Sequence, residues 1–130
     1  MVLLDTQVLL FDALEPRRLS RKARGALDDG MDAGTLACCD ISLWEIALLA
    51  ARRRIDAGPD IAAFIDSVLQ LRSVRVLPIT SAIATLAQSD LFRHGDPADR
   101  IIGATAIEHG VPLVTADAAL RRIEGLTVLW

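Results

Sequence analysis

The sequence predicts an α/β protein: a five-stranded parallel sheet flanked by helices, in three layers. Three observations predict it. Short apolar runs of strand length alternate with amphipathic helical stretches along the whole 130 residues, which is the pattern of successive βαβ units. Several of those runs are apolar at every position, as strands buried on both faces are. The composition, 52% apolar and 24% charged, suits one globular domain over residues 1–130 and excludes intrinsic disorder. A chain of this length buries roughly two-thirds of its unfolded surface, so it needs no disulfide or metal staple.

Each element follows from local signals. Residues 2–4 (VLL) form a first strand, cut off by Asp5, and residues 6–14 a helix stopped near Pro16. Ser20 caps a helix over 19–32, with Ala23, Ala26, Leu27 and Met31 at helical spacing. Residues 35–39 are a second buried strand, and residues 42–54 a helix opening on Ser42-x-x-Glu45, the spacing of a capping box. A helix over 59–72 starts at a proline and carries Ile61, Phe64, Ile65, Val68 and Leu69 as one stripe. Residues 74–79 are a third strand, 80–91 a helix, and 93–97 (RHGDP) a turn. The helix over 98–109 turns Ile101, Ile102, Thr105 and Ala106 inward and ends at Gly110. A fourth strand (112–115), a short helix (117–123) and a fifth strand (126–129) complete the order.

Charge and cysteine content narrow the function classes. The net charge is −3, yet 13 of the 14 basic residues are arginine and 13 of the 17 acids are aspartate. An acidic chain is not a passive nucleic-acid coat, but it can be an enzyme that acts on nucleic acid. Arg17, Arg18, Arg21 and Arg24, and Arg52–Arg54, form two separate groups that are candidate contacts to an RNA backbone. Cys38 and Cys39 are adjacent and lack the spacing of a metal or redox motif, so they read as small buried hydrophobes. The start, Met1 to Asp5, lacks the basic region of a signal peptide, and no apolar run spans a bilayer. The expectation is a cytoplasmic protein without a membrane partner.

In parallel sheets ligands bind beyond the carboxyl ends of the strands. Asp5 follows the first strand and Asp117 the fourth; Glu45 and Asp99 lie in the first turns of helices that reach the same edge. Helix capping and the helix dipole account for any one of these acids, but give no reason for four to converge. Clustered carboxylates repel one another unless cations neutralise them. Oxygen donors without Cys or His point to Mg²⁺ or Mn²⁺. Such an ion polarises phosphate and activates water, the chemistry of phosphodiester hydrolysis.

With these flanks the chain resembles the PIN-domain ribonucleases of the VapC toxin type. The resemblance is carried by Leu3-Leu4-Asp5-Thr6-Gln7-Val8-Leu9-Leu10, Ser42-Leu43-Trp44-Glu45-Ile46, Asp96-Pro97-Ala98-Asp99-Arg100-Ile101-Ile102-Gly103-Ala104 and Leu113-Val114-Thr115-Ala116-Asp117, in that order. It implies a sheet of order 3-2-1-4-5 and a metal-dependent endoribonuclease cutting single-stranded RNA. Asp5, Glu45, Asp99 and Asp117 would be the catalytic, metal-holding tetrad, with Mg²⁺ or Mn²⁺ as cofactor. It also implies a cognate antitoxin, seated between the helices over 42–54 and 59–72, and a homodimer whose pairing aligns the arginine groups of both chains. Two positions depart from the family pattern beside the tetrad: Ala98 stands where an aromatic is frequent, and Leu91-Phe92-Arg93-His94 where Leu-Pro-x-x-His is frequent.

Four further residues are expected to support the site. Thr6 and Thr115 place hydroxyls beside tetrad acids, Asp96 caps the following helix, and Arg100 is free to hold phosphate or a carboxylate. The residues leave two alternatives open. One is a non-catalytic binding module on the same fold. The other is a receiver-like Mg-binding phosphoacceptor domain, which needs a lysine near a late strand, whereas the single lysine is Lys22.

Overall fold

The computed structural model describes residues 1–93 and 95–130. Five strands, β1 (Val2–Leu4), β2 (Leu36–Cys39), β3 (Arg75–Leu77), β4 (Leu113–Val114) and β5 (Val128–Leu129), form one sheet of order β3-β2-β1-β4-β5. Every pairing is parallel. A receiver-like domain of the flavodoxin type has order 2-1-3-4-5, so the topology removes that alternative.

Successive strand residues point to opposite faces of the sheet. Leu4 and Cys38 therefore enter one apolar core, while Leu3, Ala37 and Cys39 enter the other. The two cysteines are adjacent in sequence yet face opposite layers, free and buried, as expected of small hydrophobes. The first layer is built by α1 (Thr6–Leu14), α2 (Arg21–Ala33), α3 (Ile41–Ala51) and α4 (Ile61–Leu71). The second holds α6 (Pro97–His109) and α7 (Ala118–Arg121), with α5 (Ser81–Ala87) packed outside α6. Arg72, just past α4, fastens the first layer: its Nε and Nη2 donate to Asp12 on α1 at 2.6 and 2.9 Å, and its Nη1 donates to Asp28 on α2 at 2.8 Å.

Most helix boundaries shift from the sequence expectation, and several shifts have a clear local cause. α3 starts at Ile41, with Asp40 at its cap position and Ser42 inside the helix, so Ser42-x-x-Glu45 is not a capping box. It also stops at Ala51. Arg53 adopts a left-handed φ of 56°, and Arg54 N–H donates to Leu49 O at 2.8 Å, the closing bond of a Schellman-type turn. α4 starts after Pro59 because Asp60, whose side chain accepts from Ala63 N–H, takes the cap. The helix expected over 80–91 ends at Ala87 and gives way to a 3₁₀ turn, Asp90–Phe92. That break buries Phe92 against α5 and α6. Of the turn expected over 93–97, His94 lies outside the described residues.

α6 is buried on more than the single face expected. Ile102 and Ala106 join the sheet-side core, while Ala104 packs with Ile83, Ala87 and Phe92. Gly103 makes this close approach possible: a Cβ built there would stand 2.7 Å from Phe92 Cε1. Gly103→Ala is therefore expected to lower stability by about 1–3 kcal/mol through overpacking, despite the better helix propensity of alanine. Urea unfolding of the two proteins checks this, and an unchanged or raised midpoint contradicts it.

Candidate active site

Asp5 is fixed first. Its N–H donates to Val114 O at 3.1 Å, continuing the ladder between β1 and β4. The chain leaves these neighbouring strands in opposite directions across the sheet, so Asp5 stands at the topological switch point. Its side chain is buried. The Thr115 hydroxyl donates to Asp5 Oδ2 at 2.6 Å and accepts from Asp117 N–H at 3.1 Å. One buried hydroxyl thus couples the acid behind β1 to the backbone of the acid behind β4. Asp117 in turn caps α7, its Oδ1 accepting from Ala119 N–H at 2.8 Å.

Glu45 approaches from α3. Its Oε1 is 2.5 Å from Thr6 Oγ1, which is 2.9 Å from Ser42 Oγ. An ionised carboxylate only accepts, so Thr6 gives its proton to Glu45 and accepts from Ser42. Ser42 is fully buried. It orients Thr6, a role that its capping-box spacing conceals. The discriminating signal is Asp40, which follows β2 directly and occupies the helix start, leaving Ser42 within the first turn. Asp99 sits in the first turn of α6, after Pro97 at the helix start and Asp96 at the cap, where Asp96 Oδ1 accepts from Ala98 N–H at 2.9 Å.

Asp5, Glu45, Asp99 and Asp117 line one open cavity of about 440 Å³, together with Asp96, Thr6, Gln7 and Arg18. The expected tetrad is therefore brought together, and Asp96 adds a fifth carboxylate beyond its cap role. Thr115 lies beneath the cavity, fully buried. Arg100 is turned away from it and lines an adjoining cavity of about 610 Å³. Among the described residues Arg100 pairs with no carboxylate.

Burial and mutual repulsion raise the carboxyls of the cluster. Burial pushes the Asp5 carboxyl up, with Asp117 adding to it and the Thr115 hydrogen bond opposing. Burial likewise raises Glu45, helped by Asp5 and Asp96 and opposed by Thr6. Asp99 is pushed up to about 7, first by burial and then by Asp5, Asp117, Asp96 and Glu45. Like charges sharing a site disfavour one another's ionisation, and a cation reverses that preference.

The donor chemistry fits a hard divalent ion. Among the described residues the cavity offers carboxylate, hydroxyl and amide oxygens, and no His or Cys lines it. No group of three or more ligating side chains among the described residues is arranged to hold an ion as it stands. Mg²⁺ does not ask for a closed cage; it keeps several waters and binds through one or two carboxylates.

Comparison with known proteins agrees with this fold. Residues 2–126 match the family model of the PIN domain, and the chain belongs to that family. It is 40% identical over 121 residues to Ribonuclease VapC22 of Mycobacterium tuberculosis (strain ATCC 25618 / H37Rv), covering 92% of this chain and 89% of that relative. Among solved structures, the fold resembles VapBC2 from Rickettsia felis bound to a DNA fragment from their promoter. The TM-score is 0.73 at 18% identity, over 98% of this chain and 97% of that one. DNA-bound VapBC from Salmonella typhimurium gives a TM-score of 0.73 at 19% identity, over 98% and 95% of the two chains.

Proposed function

We propose that this PIN-domain chain is an endoribonuclease that cuts single-stranded RNA with the help of Mg²⁺ or Mn²⁺, and that it is the toxin of a toxin–antitoxin pair. The observation that carries the reading is the convergence of Asp5, Glu45, Asp99 and Asp117 on one cavity at the carboxyl edge of the sheet. The relation to a protein named as a ribonuclease supports it.

Asp5, Glu45, Asp99 and Asp117 would hold the ion. When bound, it polarises a phosphodiester and lowers the pKa of a water. The chain's own part is positional. Thr115 holds the Asp5 carboxylate in one rotamer and Thr6 holds Glu45, each by a short hydrogen bond. The α6 N-terminus presents Asp99 where the helix dipole offsets part of its charge.

A partner antitoxin fits the surface beside this edge. α3 exposes Trp44, next to Glu45, a large apolar side chain with 59% of its surface accessible. An apolar antitoxin segment would cover it, with an arginine reaching the carboxylates. A homodimer and a cytoplasmic location complete the proposal; no helix among the described residues is long and apolar enough to cross a membrane.

A circular, unstructured RNA tests the reaction type. With Mg²⁺ the protein is expected to open the circle, which only an endonuclease can do. Co-expression with the product of the adjacent gene is expected to suppress cleavage. An intact circle alongside linear RNA shortened from its ends would overturn the endonuclease assignment.

A further inference from the structure

The arginines are not equivalent. Arg72 is committed to two carboxylates and Arg24 to the Pro16 carbonyl. Four others line a chain of adjoining cavities. The cavity of about 610 Å³ shares Asp96, Asp99 and Asp117 with the acid cavity, and Arg100 and Arg122 line it. On the opposite side, a small cavity of about 150 Å³ shares Gln7, Phe11 and Arg18 with the acid cavity. That small cavity leads through Arg54 and Ile55 into a further one of about 460 Å³. The acids thus lie midway along a groove lined by Arg53 and Arg93 as well as by these four, Arg18 and Arg54 on one side of the acids and Arg100 and Arg122 on the other.

Each of these arginines is available to an anion. Among the described residues Arg54, Arg100 and Arg122 pair with no carboxylate. Arg54 is carried outside α3 by the left-handed turn at Arg53. Arg100 Nε is buried and finds no acceptor among the described residues. The Arg18 guanidinium carbon lies over the Phe11 ring, 4.3 Å from its centre. Its contact to Glu15 is 3.7 Å long between half-exposed side chains, and such a pair holds little.

We infer that one protomer carries a complete track for a single RNA strand, from Arg54 and Arg18 on one side of the acids to Arg100 and Arg122 on the other. This rests on the ribonuclease reading and names how that site holds its substrate. Carboxylates alone repel a polyanion. Guanidiniums on both sides hold the flanking phosphates by bidentate hydrogen bonds and leave the phosphate between them over the acids. The two arginine groups that look separate in the sequence are thereby sorted. Arg18 and Arg54 belong to the track, and continuity of the groove does not depend on pairing two subunits.

The test is the salt dependence of binding. Fluorescence anisotropy would follow a labelled, unstructured RNA oligonucleotide binding to Asp99→Asn protein in Mg²⁺, across a salt series. Arg18→Ala, Arg54→Ala, Arg100→Ala and Arg122→Ala would be added singly to that background, with Arg21→Ala and Arg75→Ala as controls outside the groove. Each groove variant is expected to flatten the log–log slope by about 0.7, one lost phosphate contact on a single strand. The controls are expected to keep the parent slope, and melting by circular dichroism verifies folding. If wild type cuts RNA but the four variants keep the parent slope, or the controls change it as much, the track is wrong and the nuclease reading stands. If wild type neither binds nor cuts RNA, the nuclease reading falls and takes the track with it.

Discussion

Asp99→Asn is expected to leave the protein folded and to reduce RNA cleavage by at least roughly 100-fold, since groups that merely orient a metal ligand already cost 10–100-fold. Asn keeps the shape of Asp but offers no negative charge to a hard cation. Burial first, and then Asp5, Asp117, Asp96 and Glu45, push the Asp99 carboxyl up to about 7. Among the described residues its structural duty is a place in the first turn of α6, which Asp96 caps independently. Single-turnover cleavage of a labelled RNA, beside a melting curve for each protein, measures both halves. A folded variant cutting within a few-fold of the wild-type rate would remove Asp99 from the site.

The metal-free protein is expected to lose stability as pH rises from about 4 to about 7. Asp99 titrates near 7 in the folded chain and near its ordinary 3.8 when unfolded, and Asp5 and Glu45 are raised in the same direction. The folded state therefore binds more protons than the unfolded state through this window. The contribution is fully present below the unfolded value and is lost as pH passes the folded one. Asp99 is partly open to solvent, which screens its share to roughly 1–2 kcal/mol, or some 3–10 °C in Tm for a chain of this size. Divalent ion replaces the protons, so saturating Mg²⁺ is expected to raise Tm at pH 7.5 and to do little at pH 5. Asp99→Asn is expected to flatten the pH dependence in chelator. Scanning fluorimetry at both pH values, with EDTA or Mg²⁺, reads all of this. A wild-type Tm in EDTA that climbs from pH 5 to 7.5 would contradict the electrostatic origin of the effect.

What is legible in the sequence, and what is hidden there, divides along physical lines. The strands and the acids behind them are readable because an apolar run that ends abruptly in Asp marks a buried strand reaching the edge of its sheet. Asp5 after β1 and Asp117 after β4 are the clearest cases. Ser20, Asp96 and Gly110 bound their helices by local rules that act within a few residues. Sequence and structure part where a tertiary contact overrides such a rule. Ser42-x-x-Glu45 has the spacing of a capping box, yet Ser42 is drawn inward by Thr6, 36 residues away. The helix expected over 80–91 ends at Ala87, and the 3₁₀ turn that follows brings Phe92 against Gly103 on α6. The continuity of the arginine groove is equally hidden, because it joins residues around α3, α6 and the α7 turn that no sequence spacing relates.

Everything proposed for the site turns on whether cleavage of single-stranded RNA depends on a divalent ion held by these acids. The deciding measurement is the single-turnover rate of the wild-type protein in EDTA and again after excess Mg²⁺ or Mn²⁺ is restored. The expected result is no cleavage in chelator and full recovery with either ion. Cleavage that continues undiminished in EDTA would contradict a metal held by Asp5, Glu45, Asp99 and Asp117.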